Sequence, residues 1–216
     1  MTPDYDKAAT KAAETLIKYC VRKSPISPLP ILGEMDNVIV TSFADMCYVS
    51  GISQQELRPL FGRSQDSVTS IHHENGRSWY VVAYNSLLPF SMVQHALARE
   101  MGHIVLRHEG SSEKNTAEAI VFAQHLLCPR ALIHAIETTN MRITKNVLAN
   151  LTGIFDHCLS CMRRTPPTRV PARLNAFIRQ QFTPFIVNFF NCYASILPTD
   201  GSAVADFGTF MDGYEE

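Results

Sequence analysis

Apolar positions recur at three- and four-residue steps along most of this chain. In residues 91–108, Val93, Leu97, Met101, Ile104 and Val105 mark one face of a helix, and Arg99, Glu100 and His103 point elsewhere. Ser91 and Gln94 have the spacing of a capping box at its start. Residues 8–23 form a second amphipathic helix, with Ala9, Ala12, Ala13, Leu16, Ile17, Cys20 and Val21 on one side and Ser24-Pro25 as its stop. Residues 28–35 read as a short helix. Residues 44–63 read as helical pieces, broken at Gly51 and Gly62 and capped at Ser53.

Alternation marks the strands. Val38-Ile39-Val40 is a β-branched run suited to a buried strand. Residues 67–73 and 78–84 flank Glu74-Asn75-Gly76-Arg77, where Asn-Gly supplies the positive φ angles of a tight hairpin turn. The second of these strands leads through Asn85 and Pro89 into the 91–108 helix. Such an entry suits a substrate-pairing edge strand set beside a site on the helix.

Beyond a polar loop at 107–114, Thr116 is placed to cap a helix over 117–127, and Pro129 to open another over 130–138. Residues 143–162, 170–181 and 183–196 carry further helical patterns. Thr165-Pro166-Pro167 is a break, and Thr183-Pro184 has the form of a helix start. The chain is therefore expected to divide into a domain over 1–140, a helical extension over 141–205 and an acidic tail over 206–216.

Composition narrows the classes. The chain has 216 residues, 46% of them hydrophobic, and a net charge of -1, so a sizeable core is expected and whole-chain attraction to nucleic acid or anionic lipid is not. The N-terminus has no signal-peptide pattern, and no apolar run approaches a membrane span. These features predict a cytoplasmic protein with reduced cysteines. Cys20, Cys47, Cys128 and Cys192 read as core. Cys158 and Cys161 form a lone CxxC inside an apolar pattern and read as small buried residues. Lys145, Arg163, Arg164, Arg169, Arg173 and Arg179 face a single Asp156, which opens a nucleic-acid reading around Gly153. Basic residues on helices are usually a solvated face, so a protein partner is expected in place of DNA.

The candidate chemistry lies in Arg99-Glu100-Met101-Gly102-His103. In HExxH, two histidines one helical turn apart bind a zinc ion, and the glutamate is the base for the zinc-bound water. Here the first ligand position holds Arg99, which stays protonated and offers no lone pair. A structural zinc site is worth about 10–16 kcal/mol over four ligands, so one ligand's share is ~3 kcal/mol, or about 10²-fold in affinity. His95 lies about 12 Å along the helix axis from His103, too far to share an ion. His125, seven residues after Glu118, is the better-placed substitute, and His72, His73 and His108 read as surface or loop residues. Gly102 is expected to allow close packing against the strand.

Two linked motifs carry a family resemblance. Ala96-Leu97-Ala98-x-Glu100-x-Gly102-His103-Ile104 and Glu118-Ala119-x-x-Phe122-Ala123-x-x-Leu126-Leu127-x-Pro129 resemble those of the ImmA/IrrE metallopeptidases, over roughly residues 8–135. The resemblance implies an α+β, zincin-like fold, mostly helical with a small antiparallel sheet. It implies Zn2+ as cofactor, His103 and Glu118 as metal ligands, Glu100 as catalytic base, and a bacterial transcriptional repressor, of phage or mobile-element type, as substrate or partner. The family's usual first ligand falls on Arg99, and two readings stay open. The chain is a zinc endopeptidase with one ligand lost or replaced. Alternatively it is a metal-free pseudopeptidase, in which the Arg99 guanidinium takes the ion's place between Glu118 and Glu100.

Overall fold

The structure, a computed structural model, describes residues 2–57, 66–110, 112–137, 149, 151–154 and 167–194. The expectations for Gly62, for the cysteine pair Cys158 and Cys161, for the helices flanking Gly153 and for the 206–216 tail lie outside these residues. The fold is α+β and mostly helical. It divides into two compact units, Met1–Pro3 with Ser27–Ala123, and Asp4–Ile26 with Gln124–Glu216.

The first unit holds the sheet. Strands β1 (Val38–Ser42), β2 (Ser67–Glu74) and β3 (Arg77–Tyr84) lie in the order β1-β3-β2. β2 and β3 form the expected hairpin, turned by Asn75 at φ 51 and Gly76 at φ 74. β1 runs parallel to β3, with Val38 opposite Tyr80 and Ser42 opposite Tyr84. The sheet is thus mixed and not antiparallel throughout. Parallel neighbours need a long crossover, and it is supplied here by α3 (Phe43–Ser50), α4 (Gln54–Leu57) and β2 itself. The strand that leads into the central helix is therefore the middle strand, paired on both sides, and not the expected edge. β1 is an edge, and its Ile39 is 54% exposed, so the β-branched run there is not a buried strand.

Two short helices form where the sequence places caps. α2 (Pro28–Gly33) opens on proline. α3 ends on Gly51 in the left-handed conformation, φ 68. Before α4, the Ser53 backbone and hydroxyl both donate to Glu56, and the Glu56 backbone donates to Ser53, a reciprocal box.

The central helix, α5 (Phe90–Val105), has no side-chain cap. The Pro89 carbonyl accepts from the backbones of Met92 and Val93, so the expected Ser91–Gln94 box does not form and Gln94 turns inward. α5 is buried on most sides, through Ala96, Leu97, Ala98, Glu100, Met101, Gly102 and Ile104. α6 (Glu113–Leu127) starts earlier than expected. Ser112 accepts from the Asn115 backbone and caps it, leaving Thr116 inside the helix.

The second unit is helical. α1 (Tyr5–Lys18) is capped by the Asp4 side chain, which accepts from the Lys7 backbone. It ends before Cys20, which is exposed and has φ 49. Cys192 is also exposed, against the core reading of both. Gly153 takes φ 67, and a Cβ there would stand 2.9 Å from Pro25. α7 (Arg130–Glu137) follows Pro129 as expected. Together, Glu113–Ile136 is long and apolar enough to span a membrane, but 78% of its most apolar window is buried, the pattern of core helices.

α8 (Ala172–Ala194) is one continuous helix with Pro184 inside it, where two helices were expected. Ile178, Phe182, Ile186 and Phe190 recur every four residues and are buried. That stripe carries the helix through the residue that should have ended it. The Gln181 side chain donates to the carbonyls of Leu16 and Val21, joining α8 to the end of α1.

Candidate functional site

All the residues of the two motifs up to Ala123 lie in the first unit. α5 and α6 cross at Gly102. A Cβ there would stand 3.1 Å from the Ala119 Cα, the Ala119 carbonyl oxygen and the Phe122 ring. The glycine therefore serves the contact with α6, and not packing against the strand. Its neighbours in sequence gain from the close approach, because Glu118 is carried toward the end of α5.

Glu100 is buried, at 5% exposure. Its Oε1 accepts from Ser67 Oγ at 2.7 Å and from Arg99 Nη2 at 3.1 Å, and its Oε2 accepts from Thr69 Oγ1 at 2.7 Å. Arg99 Nη2 also donates to Ser67 Oγ at 3.1 Å. The carboxylate is thus tied to alternate residues of β2, which share one face of the strand. Three donors engage it, and one of them, the Arg99 guanidinium, also supplies a positive charge. Arg99 pairs with its chain neighbour Glu100, on the strand side of α5.

A second group forms beyond the end of α5. The chain leaves the helix through Arg107 at φ 57. The backbone of Arg107 donates to Ile104 and that of His108 to His103, a Schellman turn. Arginine in the left-handed position costs about 1 kcal/mol relative to glycine. The turn folds His108 back under the helix, where its side chain is 6% exposed. His108 Nδ1 lies 3.0 Å from His103 Nδ1, and His108 Nε2 lies 3.0 Å from Glu118 Oε2. Lys114, one turn before Glu118 on α6, stands 3.6 Å from Oε1.

An ionised Glu118 only accepts, so His108 Nε2 donates to it. Between the two Nδ1 atoms one ring donates and the other accepts, according to the tautomer each ring takes. Burial holds His103 below its ordinary pKa. The Glu100 carboxylate opposes that shift, and the charges of His108 and Arg99 add to it.

The donor set does not fit the zinc ion that the resemblance implies. Among the described residues, no three His, Cys, Asp or Glu side chains converge as an ion would require. The first-ligand position is a guanidinium bonded to Glu100, and the implied ligands His103 and Glu118 are bonded to opposite nitrogens of one imidazole.

The other histidines fall into simpler roles. His125, the candidate substitute ligand, bonds Thr168 Oγ1 at 2.8 Å through Nε2. Burial, reinforced by the Arg130 charge, pushes its pKa down to about 4. His72 and His73 are exposed on β2 and bond Ser70 and Ser78, as expected of surface residues. His108 is the residue that sequence reasoning placed at the surface and that the structure buries. Its only signal was its position five after His103, where a Schellman turn returns the chain. The usual glycine marker of that turn is missing.

No family model matches this chain, and no curated protein or solved structure matches it.

Proposed function

We propose that this chain is a zincin-like protein of the ImmA/IrrE type that has kept the peptidase scaffold and lost its chemistry, and that it regulates a transcriptional repressor by binding it. The observation that carries this reading is the state of Glu100. A general base must reach a water molecule with a free oxygen. Both Glu100 oxygens are engaged by Ser67, Thr69 and Arg99, and the residue is 5% exposed. The carboxylate acts as a tie between α5 and β2. Its partners do what an ion would otherwise do, supplying positive charge and fixed donors to a buried acid.

The test combines metal content with cleavage. Wild-type protein purified without chelator or affinity metal is counted for zinc beside Glu118→Ala, and both are incubated with helix-turn-helix repressors. The expected result is no stoichiometric zinc in either protein, and a repressor complex in which the repressor stays intact. One zinc per chain that is lost in Glu118→Ala, with repressor fragments, would overturn the reading and restore the peptidase.

A further inference from the structure

The resemblance leaves Arg99 as the residue that displaced the ion. The geometry points elsewhere: we infer that His108 takes the ion's place, clasping His103 to Glu118 and barring a divalent cation even where Arg99 is removed. The inference rests on the pseudopeptidase reading and names the residue responsible for it.

A zinc ion shared by His103 and Glu118 needs donor atoms about 2.0–2.2 Å from one centre. Those two side chains must then approach each other closely. In this structure a whole imidazole separates them. The two nitrogens of His108 face opposite sides of the ring, one 3.0 Å from His103 and the other 3.0 Å from Glu118. The rings of His103 and His108 meet edge to face, with centroids 5.1 Å apart. His103 spends Nδ1 on His108, so that nitrogen faces the imidazole and not a shared ion.

The hydrogen bonds of Arg99 described above lie at a neighbouring contact. Its guanidinium bonds Glu100 and Ser67, which belong to the contact between α5 and β2. His108 is held independently, by the Schellman turn at Arg107. The two devices are adjacent and use different hydrogen bonds. One neutralises the former base, and the other occupies the space between the former ligands.

A prediction distinguishes the two residues. Arg99→His restores the HExxH pattern but leaves the clasp intact. Arg99→His with His108→Ala opens the clasp as well. Zinc affinity is measured by titration against a competing chromophoric chelator, and stoichiometry by mass spectrometry, on the full-length chain. The double variant is expected to bind one zinc per chain at least about ten-fold more tightly than Arg99→His alone, because zinc no longer has to break the two contacts His108 makes and every ~1.4 kcal/mol so released is a factor of ten. Equal affinity in the two variants, or no zinc in the double variant, overturns the inference. Stoichiometric zinc in the wild type would instead sink the pseudopeptidase reading, so the two failures are distinguishable.

Loss of His108 removes one hydrogen-bond partner from Glu118 and one from His103, and can cost the fold. Wild-type protein labelled with 15N-histidine gives a second readout. Long-range 1H–15N spectra are expected to show His108 protonated at Nε2, and the ring nitrogens of His103 and His108 unmoved by added zinc. Zinc-induced shifts of both rings overturn the inference.

Discussion

His108 and His103 face each other through their Nδ1 atoms at 3.0 Å, although α5 ends between them. A contact between like nitrogens holds only if one ring donates and the other accepts, so each ring's proton is assigned by what lies at its other end. For His108 that is Glu118, on a different helix. The contact therefore joins the end of α5 to the start of α6, beside the crossing at Gly102.

Glu100→Gln separates a structural tie from a catalytic base. An amide keeps the shape but turns one acceptor into a donor facing Ser67 or Thr69, and it removes the negative charge from the pair with Arg99. Buried donors left unpaired cost about 1–3 kcal/mol each. The variant is expected to lose about 2–3 kcal/mol of stability, read as a lower urea midpoint. A midpoint equal to wild type would mean that these bonds do not hold α5 to β2.

Gly102→Ala tests the helix crossing. Helix propensity favours alanine by about 1 kcal/mol. The added Cβ meets backbone atoms of Ala119 and the Phe122 ring at 3.1 Å, and overpacking costs about 1–3 kcal/mol. A net loss of about 1 kcal/mol is expected, visible as a lower Tm. A gain in Tm would show that α6 yields at this point.

Stability of the second unit is expected to depend on pH through His125. Its folded pKa is about 4, against 6.5 for the free group. Between these values the unfolded chain binds a proton that the folded chain refuses. Stability is therefore complete above pH 6.5 and falls as pH drops toward 4. At ~1.4 kcal/mol per unit of pKa displacement the loss is about 3 kcal/mol. Urea midpoints measured across the window, beside His125→Gln, check this. The variant should lose less on acidification, and an equal loss would assign the effect to other groups.

Pro184→Ala is expected to stabilise. Proline lacks the N–H that would reach the Gln180 carbonyl, and inside a helix it is about 3 kcal/mol worse than alanine. Pro184 is exposed, so little packing is lost with the ring. A rise in Tm corresponding to about 1–3 kcal/mol is expected. An unchanged Tm would mean that α8 has already adapted around the proline, as the bond from Thr183 Oγ1 to the Arg179 carbonyl begins to do.

Half of the candidate site could be read from sequence. Helical spacing put Glu100 and His103 on α5 within one turn, and the second motif put Glu118 on the next helix. The partners of these residues could not be read. Ser67 and Thr69 reach Glu100 only because β2 lies against α5, a contact across more than thirty positions. His108 looked like a loop residue because the turn that buries it uses arginine in place of glycine.

The sequence by itself determined what is local. Asn75-Gly76 set the hairpin, because few residues accept two successive positive φ angles. Apolar steps of three and four set α5, α6 and α7, because a helix repeats every 3.6 residues. Tertiary structure decided what depends on distant partners. It paired β1 parallel to β3 and made the hairpin's second strand central. It carried α8 through Pro184 on the burial of Phe182 and Ile186, and it closed His108 between His103 and Glu118. Each of these outcomes depends on burial or hydrogen bonding between segments far apart in the chain, and no local pattern records which segments will meet.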